Sequence, residues 1–377
     1  MQQSKAAFPP AQFLRASIAS GAALLLLLTG CSGAGNNGAD LLPPPGYFRA
    51  VAEAQGKPRE CVAAPKPYTG KLQFPSKYAG SDAARDQVNP KAALRYRELT
   101  DNVRLLENGV NKLIGRYLDK GQPDDLACVI SWLNDWAEAD ALLSTTYNHT
   151  GKSVRKWALG SVAGAYLRLK FSRSQPLEQY SSEARTIEKW LGKLADQVVL
   201  DWNAQPMERR NNHQYWAAWS VMASAVVLNR RDLFDWSVSQ YSQGMSQVDE
   251  QGYLPLELSR QTRALAYHNY AMGPLLMVAA FAQANQLDLR GANEGALQRL
   301  AQRLEAGLKQ PQLFSAKAGY PQTLDDLQDN SRFAWLEPYC ALYTCSPATE
   351  AWRRSLQPLT TYRLGGDITQ LFAEQLP

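Results

Sequence analysis

Histidine is scarce in this chain, with three in 377 residues: His149, His213 and His268. They lie far apart, and no cysteine or carboxylate flanks them at the spacing that zinc ligands need. A metal enzyme of recognisable pattern is thereby excluded, and no cofactor is expected. Phosphate-cradling glycine loops are missing. So is the Gly-x-Ser-x-Gly turn of a serine hydrolase. Strand-like alternation does not occur over any useful length. Charge of one sign is also lacking. The net charge is +5, and loss of Lys5 and Arg15 with an export signal lowers it to +3. That is too mild for a nucleic-acid partner, but it suits a basic cleft for a polyanion.

Long apolar runs are rare as well. Residues 18–28 end in five leucines, too short for the roughly 20 residues of a spanning helix. With Lys5 and Arg15 before them, they read as the core of an export signal covering residues 1–31. Leu28-Thr29-Gly30-Cys31 matches a bacterial lipoprotein box, in which the cysteine is lipidated. An ordinary cleaved signal is the alternative. A lipidated Cys31 is the one membrane tether the sequence offers. Residues 32–46, rich in Gly, Asn and Pro, read as a flexible linker. No later composition break appears, so residues 47–377 are expected to form one domain. Four further cysteines, Cys61, Cys128, Cys340 and Cys345, form an even set in an exported chain and suggest disulfides. Three pairings are open. The closeness of Cys340 and Cys345 favours a small local loop, leaving Cys61 for Cys128. Buried free thiols are the alternative.

What the chain has in quantity is helical period. Val103, Leu106, Val110, Leu113 and Tyr117 fall on one face, as do Ala184, Ile187, Leu191, Leu194 and Val198. Further helices are expected over 123–142, 151–171, 211–228, 231–246, 257–285 and 292–308. The fold class is therefore all-α, with antiparallel hairpins able to stack and curl into a toroid whose loops gather at one end. Residues 68–90 are polar, aromatic and glycine-hinged. That composition suits a mobile lid, with an ordinary surface loop as the plainer alternative.

Three polar–aromatic clusters stand out. Asn211-Asn212-His213-Gln214-Tyr215-Trp216 opens a helix, where an Asn–His pair would meet the positive end of the dipole. Arg260, Arg263 and Tyr267 fall at i, i+3 and i+7, on one helical stripe. Tyr147-Asn148-His149-Thr150 precedes another helix. Taken singly, the first two read more simply as a capped core helix and a solvated basic face. Together they supply what elimination from a uronic acid polymer requires. The proton at C5 is poorly acidic because the adjacent carboxylate is already negative. Arg with an amide can neutralise that carboxylate. A Tyr whose pKa is lowered by a neighbouring cation can serve as base and acid.

The chain resembles the bacterial alginate lyases of polysaccharide lyase family five, the poly(β-D-mannuronate) lyases found with alginate biosynthesis. The resemblance is carried by Pro43-Pro44-Pro45-Gly46-Tyr47, Ser76-Lys77-Tyr78, Asn148-His149-Thr150-Gly151-Lys152-Ser153, Arg155-Lys156-Trp157, Asn211-Asn212-His213-Gln214-Tyr215-Trp216, Arg263 to His268 and Trp335-Leu336-Glu337-Pro338-Tyr339. It implies an incomplete (α/α) toroid of helix hairpins with a deep groove. It implies a catalytic set of Asn212, His213, Arg260 and Tyr267, with Tyr267 as acid and base. It implies substrate contacts at Ser76, Lys77, His149, Thr150 and again Tyr267, with Trp216 as a stacking platform and His268 structural. Endolytic cutting of mannuronate-rich alginate would follow, in the periplasm, by a monomer associated with the alginate biosynthesis machinery. Two other readings stand beside it. An inverting glycoside hydrolase would need two carboxylates about 6.5–9.5 Å apart, and none, Glu337 included, lies in these clusters. A non-catalytic polymer-binding subunit would need no Tyr–His pair.

Overall fold

The computed structural model describes residues 39–80, 85, 87–203 and 205–373. The export signal, its lipoprotein-box cysteine and linker residues 32–38 lie outside the described residues. Residues from Asp40 onward form one unit.

Eight long helices build it: α1 (Pro90–Lys120), α2 (Pro123–Glu138), α3 (His149–Lys170), α4 (Ser181–Asn203), α5 (Asn212–Leu228), α6 (Arg231–Ser246), α8 (Ala264–Ala284) and α9 (Ala292–Lys309). A single turn, α7 (Pro255–Leu258), precedes α8. Short helices α10 (Gln312–Ala318), α11 (Leu336–Leu342), α12 (Pro347–Leu356) and α13 (Ile368–Phe372) complete the chain. Starts and stops follow local chemistry. Asn89 caps α1 by accepting from the Ala92 N–H, Pro90 follows it, and Gly121 ends the helix in the left-handed conformation.

Long helices alternate between two layers. α1, α3, α5 and α8 pack side by side, and each is followed by an outer partner, α2, α4, α6 or α9. Composition explains the division. Helices α3, α5 and α8 are buried on almost every side, with Ala158, Ala163, Trp219, Met222, Leu276 and Phe281 all sealed. Helices α4 and α9 keep one apolar stripe, as in Ile187, Leu191, Leu194 and Val198. The expected α/α toroid is therefore the fold. Among the described residues the strand content is one hairpin, Thr360–Thr361 with Gly366–Asp367.

Several expectations need correction. Residues 40–46 are part of the folded unit and not of a flexible linker. The Leu41 N–H donates to Asn229 Oδ1 at 2.9 Å, and Asn285 exchanges two hydrogen bonds with the Leu42 backbone. Leu41 and Tyr47 are fully buried, so apolar burial overrides the Pro–Gly composition. The first half of the supposed lid is also fixed. Leu72 and Phe74 are buried, and Leu72 pairs with Thr146 and Asn148 through backbone bonds of 2.9 and 3.0 Å. Residues 76–80 and 87–89 pair with each other as a flap, with Tyr78 bridged to Val88. The helix expected over 257–285 is broken, for reasons given below.

Both disulfides form as the spacing favoured. Cys61–Cys128 fastens the N-terminal strap to α2, and Cys340–Cys345 closes a short loop after α11. Glu337 is buried and engaged by Arg353, Gln357 and Thr369, which gives it a structural place in the C-terminal region.

Candidate active site

Helices α3, α5 and α8 begin at one rim, and the three clusters sit at those starts. Asn148 caps α3 by accepting from the Gly151 N–H at 2.8 Å, which sets His149 and Thr150 in the first turn. Asn211 caps α5 by accepting from the His213 N–H at 3.1 Å. Tyr267 lies in the first turn of α8. Neighbouring helix N-termini give the rim a positive potential before any side chain is counted.

His213 lies in an aromatic box. Its ring stacks on Trp202 at 5.6 Å with 7° between planes, and the His149 ring is 5.0 Å away. Lys156 Nζ is 2.8 Å from His213 Nδ1. Burial, followed by the Lys156 charge, holds the His213 pKa well below that of free histidine. Burial, again with Lys156 nearby, pushes His149 down to about 4. Both rings are neutral at neutral pH.

Asn212 and Arg260 meet at Glu257, a fully buried carboxylate on α7. Glu257 accepts from the Asn212 backbone N–H at 2.6 Å and from Asn212 Nδ2 at 2.9 and 3.1 Å. Arg260 Nε is 3.7 Å from Glu257 Oε2. Burial raises the Glu257 pKa against the pull of Arg260. The amide nitrogen of Asn212, expected to face a substrate carboxylate, is thus turned to Glu257. Asn212 Oδ1 is buried without a hydrogen-bond partner among the described residues.

The stripe of Arg260, Arg263 and Tyr267 is not helical. Gln261 takes a left-handed conformation at φ 54°, a 3-10 turn covers Gln261–Arg263, and α8 starts only at Ala264. The break brings both guanidinium groups to the face of the Tyr267 ring, at 4.6 Å for Arg260 and 4.9 Å for Arg263. A second correction concerns acidity. Burial and the neighbouring Tyr78 raise the Tyr267 pKa by more than Arg263 and Arg260 lower it. Tyr267 rests as a neutral phenol, and the arginines reduce the cost of ionising it.

The flap reaches this group through Tyr78. Arg263 donates from Nη1 to Tyr78 Oη at 3.0 Å and from Nε to Asp326 at 2.8 Å. Burial raises the Tyr78 pKa, but Lys77 and Arg263 outweigh it and leave the phenol below its ordinary value. Ser76 and Lys77 ride on the flap. Their contacts stay local: Ser76 Oγ accepts from the Tyr78 N–H at 3.3 Å, and Lys77 Nζ sits 5.1 Å from the Tyr78 ring centre. On the other side, Arg363 lies 4.3 Å over Trp157 and donates to Tyr270 Oη at 2.8 Å.

Trp216 is 6% exposed and packs on Tyr270 at 4.9 Å, so it offers no free face for stacking on a sugar. Trp157 is half-buried, with Arg363 over its ring and His213 beside it. His268 is structural, as read. Its Nε2 accepts from the Leu254 N–H at 2.8 Å, and Nδ1 bonds the Ala264 carbonyl at 2.7 Å. Among the described residues no group of three or more His, Cys, Asp or Glu side chains is placed to hold a metal ion. Lys156, Glu257, Tyr78 and Arg363 were not singled out as site residues from the sequence. Lys156 lies within a quoted segment, but nothing in its spacing aims it at His213.

The sequence profile of the family described as alginate lyase matches residues 73–314. The chain belongs to the alginate lyase family. An alginate lyase of Pseudomonas aeruginosa (strain PAO1) is 52% identical over 337 residues, covering 89% of this chain and 92% of that one. One from Cobetia marina is 53% identical over 350 residues, covering 92% and 94%. Among solved structures, a histidine-to-alanine variant of alginate lyase A1-III complexed with a tetrasaccharide superposes with TM-score 0.71 at 25% identity. It covers 84% of this chain and 88% of that one. A1-III from Sphingomonas species A1 without that substitution gives 0.69. Alginate lyase chemistry, elimination from a uronic acid polymer, thus has an anionic substrate that suits the positive rim.

Proposed function

We propose that the chain is an endolytic poly(β-D-mannuronate) lyase that cuts β-1,4 bonds of alginate by elimination. The observation that carries this reading is the placing of Tyr267 under two guanidinium groups, with Asn212 and the neutral rings of His213 and His149 at the adjoining helix start. Arg260 and His213 receive the carboxylate of the residue being cut, and Asn212, held by Glu257, fixes the helix start beside them. In its ionised form Tyr267 takes the proton from C5, the C5–H electrons form the C4=C5 double bond, and the C4–O4 bond breaks. Tyr267 then returns a proton to O4. In mannuronate, H5 and O4 lie on the same face, so one phenol reaches both. Ser76 and Lys77 on the flap, with His149 and Thr150 at the start of α3, contact neighbouring sugars. The products carry an unsaturated uronosyl group at the new non-reducing end.

The reaction as drawn uses side chains alone. We place it in the periplasm, in a monomer that removes polymer stranded during alginate synthesis, with Cys31 as its one route to a lipid tether. The test is ultraviolet absorbance during incubation of the purified mature chain with polymannuronate, with chelator present. Polyguluronate runs in parallel. The expected result is a conjugated-alkene signal, larger on polymannuronate, and a rapid early fall in polymer length. Shortened chains without the signal would mean hydrolysis and overturn the proposal. Slow release of single units from the ends would overturn the endolytic part.

A further inference from the structure

Lys156 is the unexplained charge of the site. It lies on α3, is fully buried, and pairs with no carboxylate among the described residues. An apolar side chain of that length would fill the space without the cost of burying an ammonium group. What surrounds it is specific to a donor. Nζ is 2.9 Å from the His213 carbonyl oxygen, 2.8 Å from His213 Nδ1 and 3.7 Å from the centre of the Trp202 ring. An ammonium has three hydrogens, and these are three acceptors: a carbonyl, a ring lone pair and a π face. Ser153 Oγ is also near Nδ1, at 3.3 Å, but its own hydrogen goes to the His149 carbonyl at 2.9 Å.

We infer that Lys156 is a positioning residue for His213, holding its ring neutral with the proton on Nε2, so that His213 meets the substrate carboxylate as a hydrogen-bond donor. The inference rests on the proposed elimination and deepens it. Lys156 grips one residue at two points, the backbone carbonyl and Nδ1. The stacked Trp202 ring fixes the plane, and Nε2 is the nitrogen left for the groove. A neutral donor there takes up carboxylate charge but cannot accept the C5 proton, which leaves that proton to Tyr267. Every other charged or titratable group facing this pair pushes in the same direction. Lys152 on α3, Arg260 before α8 and the neighbouring His149 all oppose an imidazolium at His213, and Arg363 faces Lys156 from the C-terminal side. Burial, with Lys152 and Arg363, also draws the Lys156 pKa well below that of ordinary lysine, so the clamp depends on all three acceptors.

Three histidines make the test direct. Long-range proton–nitrogen spectra of the nitrogen-15-labelled mature chain, recorded from pH 5.5 to 8.5, report protonation and tautomer at each ring, with His213→Gln assigning the signals. His268 is the internal contrast. Its Nε2 accepts a backbone N–H, which requires the proton on Nδ1. His213 is expected to show the opposite pattern, with Nε2 protonated and no midpoint in the range. In Lys156→Met the midpoint should return toward the ordinary value of about 6.5. The turnover number should fall at least tenfold while KM changes less than threefold. An Nδ1-protonated His213, or an ordinary midpoint in the unsubstituted chain, overturns the inference whether or not the variant folds. So does a variant whose turnover and His213 spectrum match the unsubstituted chain. The alkene assay on the unsubstituted chain stands apart from these spectra, so failure of the elimination reading is separately visible.

Discussion

Replacing Tyr267 by Phe removes one oxygen and very little else. The ring keeps its volume, and Arg260 and Arg263 keep an aromatic face at 4.6 and 4.9 Å. Binding of the polymer should therefore change less than threefold in KM. Chemistry should not survive. The phenol serves once as base and once as acid, and each such role is worth at least about a hundredfold. Loss of both gives a fall in turnover of about ten-thousandfold, or about 5 kcal/mol at 1.36 kcal/mol per decade. The raised Tyr267 pKa adds a pH signature. Only the phenolate can take the C5 proton, and its population grows about tenfold per pH unit below the pKa. The unsubstituted chain should show kcat/KM rising from pH 7 to 9, because that ratio reports groups of the free enzyme. Initial-rate alkene absorbance across this range, for both proteins, measures it. His213, whose pKa is depressed, is neutral throughout and would give a flat profile. A flat profile, or a variant within tenfold of the parent, would refute the assignment of the base to Tyr267.

Arg263→Met cuts the tie from the α8 start to Tyr78 and to Asp326. Loss of one charge-assisted bond should raise KM for polymannuronate by roughly tenfold or more, and an unchanged KM would remove the flap from substrate binding. Asp201→Asn leaves the fully buried Arg155 without its counter-ion, though still bonded to the Leu142 carbonyl at 2.8 Å. Urea unfolding should show a loss of about 3–5 kcal/mol, and a loss below about 1 kcal/mol would contradict a tight buried pair. Of the two disulfides, Cys61–Cys128 spans 67 residues and Cys340–Cys345 spans 5. Loop-closure entropy assigns them about 4 and about 2 kcal/mol. Paired Cys→Ser variants compared by urea unfolding should preserve that order, and the reverse order would place the stabilisation in local packing. Gly151→Ala puts a methyl group 1.7 Å from the Leu72 carbonyl oxygen. It should free the 70–75 strap to proteolysis, and an unchanged cleavage rate there would mean that the strap shifts at little cost.

Much of the fold was legible because helix period is a local property. The stripes at 103–117 and 184–198 name their own buried faces, and Asn89, Asn148 and Asn211 mark helix starts by chemistry that acts over three residues. The break at 259–263 was not legible. Arg260, Arg263 and Tyr267 have good helical spacing, and only packing against α5 through Glu257 shows why the chain leaves the helix there. The linker was overextended for a similar reason. Its Pro–Gly composition suggests a tether, but Asn229 and Asn285, nearly two hundred residues and more away, hold it down.

The site divides in the same way. The alternation of helix and turn in the sequence by itself determined that this chain is all-α, and the toroid came with the family resemblance. The ordered motifs from Pro43 to Tyr339 carried the resemblance to alginate lyases and pointed to Asn212, His213, Arg260 and Tyr267. Only the tertiary structure decided their electrical state. Burial has no signature at a single position, yet it raises Tyr267 and depresses His213. The partners that set those values, Lys156 on α3, Glu257 on α7 and Tyr78 on the flap, come from separate stretches of chain. Coulomb energy and desolvation depend on distance in space, and sequence separation does not encode that distance.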